Sequence, residues 1–404
     1  MSRFRAGPGF LVAAAFIGPG TLVTASRAGA GYGTALLWAV LFSVVTTAIL
    51  QDMAARVGLA GRRGLAEAIR DSLANPRIRA GALGLIATTI LVGNAAFQTG
   101  NLLGASLGVT LLTGLPQALL VAVIGGLSAA LLMTGTYKTI QNALVVLVGL
   151  MSVVFFLTAV LTAPDLGDLL SGLFVPRVPP GALLTVLALI GTTVVPYNLF
   201  LHASAVLERW PDAENNDENL RESRRDTVFS VALGGLITAA VVIAASPLLG
   251  QGGDADVAAV AARLEPVLGP AAPLFFGVGL FAAGLTSSIT APLAAAYAAG
   301  GALGWGADLK SNRFRMLWGA VLLTGMVFGI FLGASPYQII LLAQAGNAVV
   351  LPLTLILLLV VVNQAGIMGR HRNSRLANIA GVLVVLVIIG LSVVQLARVF
   401  GVGG

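Results

Sequence analysis

The sequence predicts an all-α polytopic membrane protein, and three observations carry that prediction. First, 57% of the 404 residues are hydrophobic and 10% are charged. A soluble domain carries roughly 25% charged residues, so this chain has too little charge to coat a water-facing surface. Second, the apolar residues fall in long continuous runs, near the roughly 20 residues a helix needs to cross a bilayer. A transmembrane barrel would instead show short alternating segments. Third, the basic residues are gathered on one side of the resulting topology, the asymmetry that orients helical membrane proteins. The lack of cysteine sets aside a disulfide-stapled domain and a thiolate metal centre.

Eleven spans follow in chain order, at 8–33, 35–56, 82–108, 115–133, 142–163, 181–207, 227–249, 271–300, 315–334, 337–363 and 376–400. The connectors hold the acids. Asp52 closes the second span, and Glu67 and Asp71 lie in the loop after it. Asp165 and Asp168 fall outside after the fifth span, as do Asp254, Asp256 and Glu265 after the seventh. The longest hydrophilic stretch, Glu208–Asp226, joins the sixth and seventh spans and reads as a solvated linker. Asp308 and His371 sit in later cytoplasmic loops. By this topology no carboxylate lies at mid-membrane.

Of the 23 Lys and Arg residues, 19 fall on one side, and Arg27, Arg177, Arg263 and Arg398 are the remainder. The asymmetry places the N-terminus in the cytoplasm and the C-terminus outside, in a bacterial-type plasma membrane. The net charge of +7 and pI near 10.5 are thereby explained by anionic lipid, not by nucleic acid. No cleavable leader is expected, because the N-terminus runs directly into the first span.

Two spans contain breakers at mid-depth: Gly18-Pro19-Gly20-Thr21 in the first, and Val195-Pro196-Tyr197-Asn198 in the sixth. Proline removes a backbone donor and glycine relaxes the helix. Breaks five spans apart point to an inverted-repeat transporter whose unwound backbone lines a central site. The implied organisation is 1–163 for spans one to five, 164–207 for a loop and broken span six, and 208–226 for the cytoplasmic linker. Residues 227–363 then hold spans seven to ten, and 364–404 a cytoplasmic loop and span eleven.

The stretches GPGFLVAAAFIGPG, LLWAVLFSVVTTAILQDMAARVG, VPYNLFLHAS, GLFAAGLTSSITAP and LLAQAGNAVVLP resemble, in order, pieces of the Nramp family of metal-ion transporters. The resemblance implies a LeuT-like fold: a 5+5 inverted repeat with broken spans one and six, plus an eleventh helix. The family's span-one signature is Asp-Pro-Gly-Asn, whose Asp and Asn bind metal; this chain has Gly18-Pro19-Gly20-Thr21. The family's span six carries an Ala, then a Met three residues on, then Pro-His-Asn. Here the matching residues are Thr192, Val195, Pro196, Tyr197 and Asn198. The family's DLAEVIG-type run in span three, linked to proton passage, matches Gln98-Thr99-Gly100-Asn101-Leu102-Leu103-Gly104. Asn198, His202, Gln344 and Asn347 are retained. Magnesium-transporting relatives also replace the Met but resemble the parent family in keeping the span-one Asp.

The candidate substrate-binding residues are therefore Gly18, Gly20, Thr21, Thr192, Val195, Tyr197, Asn198, Gln344 and Asn347. Spacing of i, i+3 puts the last two amides on one face of span ten. Hard divalent cations favour carboxylates, and a dication in a low-dielectric site without a countercharge carries a penalty of several kcal/mol. The neutral lining suits a small polar or anionic solute, held in part by helix N-terminal amides. Two further readings stay open: a divalent metal such as Mn²⁺ or Mg²⁺ held by neutral oxygens, and a membrane sensor that does not transport. Hydroxyls and amides at such positions also serve as ordinary glue between helices. No enzymatic constellation is present, and no cofactor is implied. Coupling to Na⁺ through Ser287 and Ser288 resembles sodium-coupled LeuT-like relatives, where span-eight hydroxyls and span-one carbonyls bind the ion. Coupling to H⁺ through His202 is the alternative, with Gln98 and Asn101 along the same pathway. The partners are the solute or ion and the lipid bilayer; the sequence does not set an oligomeric state.

Overall fold

The computed structural model describes residues 7–211, 216–249, 265, 269–331 and 336–399. Among the described residues the regular elements are helices; the long ones fall into the eleven expected spans, and short ones occupy connectors. Span one is a short helix, Gly9–Phe16 (1a), followed across a 59° bend by Pro19–Tyr32 (1b). Spans two to five are Leu37–Gly61, Pro76–Thr113, Gln117–Met133 and Tyr137–Leu161. Span six is Leu183–Thr193 (6a) and Pro196–Arg209 (6b). Spans seven to eleven are Asn216–Ala245, Ala272–Leu303, Asn312–Phe331, Pro336–Asn363 and Arg375–Val399.

Three features depart from the sequence reading. Span three has 38 residues, about 57 Å at 1.5 Å per residue, so it projects well past the hydrocarbon. Its start is fixed by Asn75, whose side chain accepts from the Arg77 and Ile78 N–H groups at 2.9 and 3.3 Å, ahead of Pro76 at the first helical position. Span seven begins at Asn216, so the stretch taken as solvated linker supplies its first turns; Asp217 and Glu218 there complement the helix dipole. Short helices at Leu65–Ser72 and Leu166–Phe174 occupy two connectors. Both are too short to register as spans.

Spans three and eight are drawn closely together. A Cβ placed on Gly284 would lie 2.4 Å from the Ala105 Cβ and 2.6 Å from its backbone nitrogen. Gly108 and Gly277 approach reciprocally: a Cβ on the first would stand 2.5 Å from the Gly277 carbonyl oxygen, and one on the second 2.7 Å from that of Gly108. Within lipid, helices gain little from hydrophobic contact and associate through such close backbone approach. Gly284→Ala is therefore expected to cost about 2–3 kcal/mol of stability, read as a lower melting temperature in detergent. Gly93→Ala is the comparison, since nothing lies within 4 Å of its Cβ position. It should leave the melting temperature unchanged or raise it.

The outer surface is apolar. On span five, Val146, Val153 and Val160 are 70%, 66% and 72% exposed at seven-residue spacing, a stripe that faces lipid. Helix 1a is the opposite case, with all eight residues buried. Its N-terminal end meets Asp226 of span seven, itself 5% exposed. The carboxylate accepts the Gly7 N–H at 2.8 Å and the Gly9 N–H at 2.6 Å. This corrects the placement of Asp226 at the edge of a solvated linker: its charge is spent on two helix-terminal amides inside the protein.

Candidate functional site at the two broken spans

The break in span one interrupts the helical bonding of its backbone acceptors. Helix 1a ends at Phe16; Ile17 and Gly18 leave helical geometry, with Gly18 extended at φ −106° and ψ 178°. Pro19 then starts 1b, where its missing N–H costs nothing. Of the last four carbonyls of 1a, that of Ala13 accepts the Ile17 N–H at 3.0 Å. The other three are met by hydroxyls. Ser287 on span eight donates to the Ala14 oxygen at 3.5 Å, Tyr197 on 6b donates to Ala15 at 3.3 Å, and Thr21 on 1b donates to Phe16. Three of the residues predicted for substrate and ion binding thus converge on one helix end. In this conformation they complete its hydrogen bonding.

Gly18 stands at the centre of this cluster. A Cβ on Gly18 would lie 2.7 Å from the Ser287 Oγ and 3.5 Å from the Asn101 Oδ1. The two polar groups fill the space a larger residue would need. Gly20, one step into 1b, is partly exposed.

The break in span six is gentler. Val194 and Val195 are non-helical, and Pro196 opens 6b. The 6a and 6b halves together read as one 27-residue span. Thr192 and Thr193 both turn their hydroxyls back onto the Leu189 carbonyl, at 3.1 and 3.2 Å, instead of toward a ligand. Tyr197 packs edge-on against Phe97 of span three, with ring centroids 6.1 Å apart. Asn198 is fully buried, and neither its amide nitrogen nor its oxygen has a hydrogen-bond partner among the described residues. A buried amide left unpaired is costly, which makes Asn198 a candidate to hold a ligand. One turn on, the His202 Nδ1 faces the Gln51 Oε1 at 3.1 Å, and its Nε2 is unpaired among the described residues.

The polar residues of span three bond to span eight. Gln98 donates to the Ser288 carbonyl at 3.2 Å, and Asn94 to that of Ala291 at 2.9 Å. The Gln98 Oε1 and Ser288 Oγ remain unpaired among the described residues. The side chains of Gln344 and Asn347 lie outside the described residues; their backbone belongs to span ten, which packs against span three. Gln51, Asn94 and Asp226 were not among the predicted site residues. Gln51 and Asn94 are lone amides inside apolar runs, a signal the sequence did carry.

Helical spans with a broken pair around a buried polar centre define a secondary-transporter architecture. The chain belongs to the Nramp family: that family's sequence model, described as Natural resistance-associated macrophage protein-like, matches residues 9–398. Two relatives bear the name divalent metal cation transporter MntH. The one from Erwinia tasmaniensis is 28% identical over 392 residues, 96% of this chain and 92% of its own. The one from Deinococcus radiodurans is 29% identical over 396 residues, 96% of this chain and 88% of its own. Among solved structures, the Eremococcus coleocola manganese transporter in complex with an aromatic bis-isothiourea substituted compound superposes with a TM-score of 0.81 at 23% identity. The match covers 97% of this chain and 86% of that one. MhsT in complex with L-phenylalanine gives a TM-score of 0.64 at 16% identity, over 96% of this chain and 97% of its own. The fold is LeuT-like: two inverted five-span repeats with the first span of each broken, and an eleventh helix appended.

Proposed function

We propose that this Nramp-family membrane transporter moves a small polar or anionic solute by alternating access, in place of the transition metals named for its relatives. The observation that supports this reading is the neutral chemistry around Gly18. Where a carboxylate would extend from that position, the Ser287 hydroxyl and the Asn101 amide already stand. The unpaired amide of Asn198 offers both a donor and an acceptor to a solute. Transport would be coupled to Na⁺ or H⁺. The Ser287 hydroxyl against the Ala14 carbonyl and the unpaired Ser288 hydroxyl favour a monovalent cation held by neutral oxygens; His202 favours a proton.

The test is calorimetric titration of the purified protein with Mn²⁺ beside an Nramp metal transporter as positive control. No heat is expected from this protein under conditions where the control binds. A thermal-shift screen of neutral and anionic solutes, with and without Na⁺, is expected to yield a ligand whose stabilisation disappears in Asn198→Leu. The names of the relatives favour the second reading, a divalent-metal transporter with a neutral-oxygen site. Micromolar Mn²⁺ binding that is lost in Gln344→Ala would establish that reading and overturn ours.

A further inference from the structure

Away from the broken spans, a strongly charged cavity of about 550 Å³ opens at the end of the bundle where the basic connectors lie. Asp52 and Arg56 contribute to it from the end of span two, Arg221 and Arg224 from the first turns of span seven, and Arg372 from the connector to span eleven. Four arginines line it against two aspartates, Asp52 and Asp217. Counted over these arginines and aspartates, the surplus is two positive charges.

Both acids are already committed. Asp52 accepts from the Arg56 Nε at 3.0 Å and from Arg224 at 2.7 and 3.3 Å. Asp217 accepts from Arg370 at 2.7 Å and lies 3.6 Å from the His371 Nε2. Arg56 is fixed further by the His371 carbonyl at 3.2 Å and the Asn373 side-chain oxygen at 2.6 Å. Two guanidinium groups are left over. Arg221 and Arg372 are exposed, line the cavity, and make no hydrogen bond or ion pair among the described residues. The remaining wall includes Leu220 on span seven and Ser374 and Ala377 at the start of span eleven.

A guanidinium fork matches phosphate oxygens with paired, charge-assisted hydrogen bonds. A surplus of two charges suits a phosphate better than a lone carboxylate. We propose that this cavity binds a phosphate group through Arg221 and Arg372, over a preformed floor of Arg56 and Arg224 held by Asp52. The phosphate belongs either to an anionic phospholipid of the adjoining leaflet or to a soluble phosphate compound.

The experiment uses the full chain in neutral detergent and follows the melting temperature during two titrations. One uses dihexanoyl phosphatidylglycerol, with the phosphatidylcholine analogue as zwitterionic comparison; the other uses inorganic pyrophosphate. A saturable rise with phosphatidylglycerol alone assigns the site to lipid, and a rise with pyrophosphate assigns it to the soluble compound. In either case R221Q/R372Q should weaken the midpoint roughly ten-fold or more while leaving the ligand-free melting temperature unchanged. R77Q/R79Q removes the same charge elsewhere on the basic face and should stay within about two-fold. No saturable rise with either ligand overturns the proposal. So does an equal loss in R77Q/R79Q, which would mean diffuse attraction and no built site.

Discussion

Asp226→Ala is expected to destabilise the protein by about 3 kcal/mol and to free the start of helix 1a. Its carboxylate is the acceptor for two buried amides, those of Gly7 and Gly9, and Pro8 between them has no N–H to offer. Deleting the carboxylate strands both donors away from water and removes a negative charge from the positive end of a helix. The glycines are part of the same device. A Cβ on Gly7 would lie 2.4 Å from the Asp226 Oδ2, and one on Gly9 2.9 Å from the Asp226 backbone oxygen. Asp226→Asn accepts through one oxygen and should fall between the wild type and Asp226→Ala. The readouts are the melting temperature in detergent and hydrogen exchange of the amides in 1a. Should both variants melt within a degree of the wild type, the carboxylate is not holding the helix.

The second large effect is expected from Gly18→Asp. The new Cβ would sit 2.7 Å from the Ser287 Oγ, so span eight or the break must move. The new carboxylate would also be an uncompensated charge in a buried site. We expect a loss of about 3 kcal/mol or more without metal. Millimolar Mn²⁺ should restore part of the melting temperature in this variant and do nothing for the wild type, because a cation that binds the folded state stabilises it by mass action. Pairing the change with Ser287→Ala relieves the contact and should recover some stability even without Mn²⁺. An unperturbed melting temperature in the single variant would mean that the cluster around Gly18 is looser than its distances state.

Much of the architecture was legible in the chain. Each span announces itself by a continuous apolar run, and both breaks by Gly and Pro inside such runs. The bonding at the breaks was not legible. Ala15 and Tyr197 are 182 positions apart, and Ala14 and Ser287 are 273 apart. Nothing local distinguishes a hydroxyl that will meet a stranded carbonyl from one that folds back on its own helix, as Thr192 and Thr193 do. Asp226 misled for a related reason. A charge beside a run of charged residues looks solvated, and only the helix that starts at Asn216 carries it inward. Gln51 on span two is visible as an amide within an apolar run, but nothing in the sequence pairs it with His202.

Helix 1a has eight residues, a rod about 12 Å long, clamped at its tip by Asp226 and hinged at Ile17 and Gly18. For so short a lever, drawing the tip back about 3 Å, one hydrogen-bond length, rotates the rod by roughly 15°. The hinge end turns with it, and its three outer carbonyls are gripped by hydroxyls from 1b, 6b and span eight. Releasing the tip would therefore torque the cluster of hydroxyls around that helix end. In the other direction, a solute bound as we propose, pulling Tyr197 or Ser287 off those carbonyls, would slacken the pivot from within.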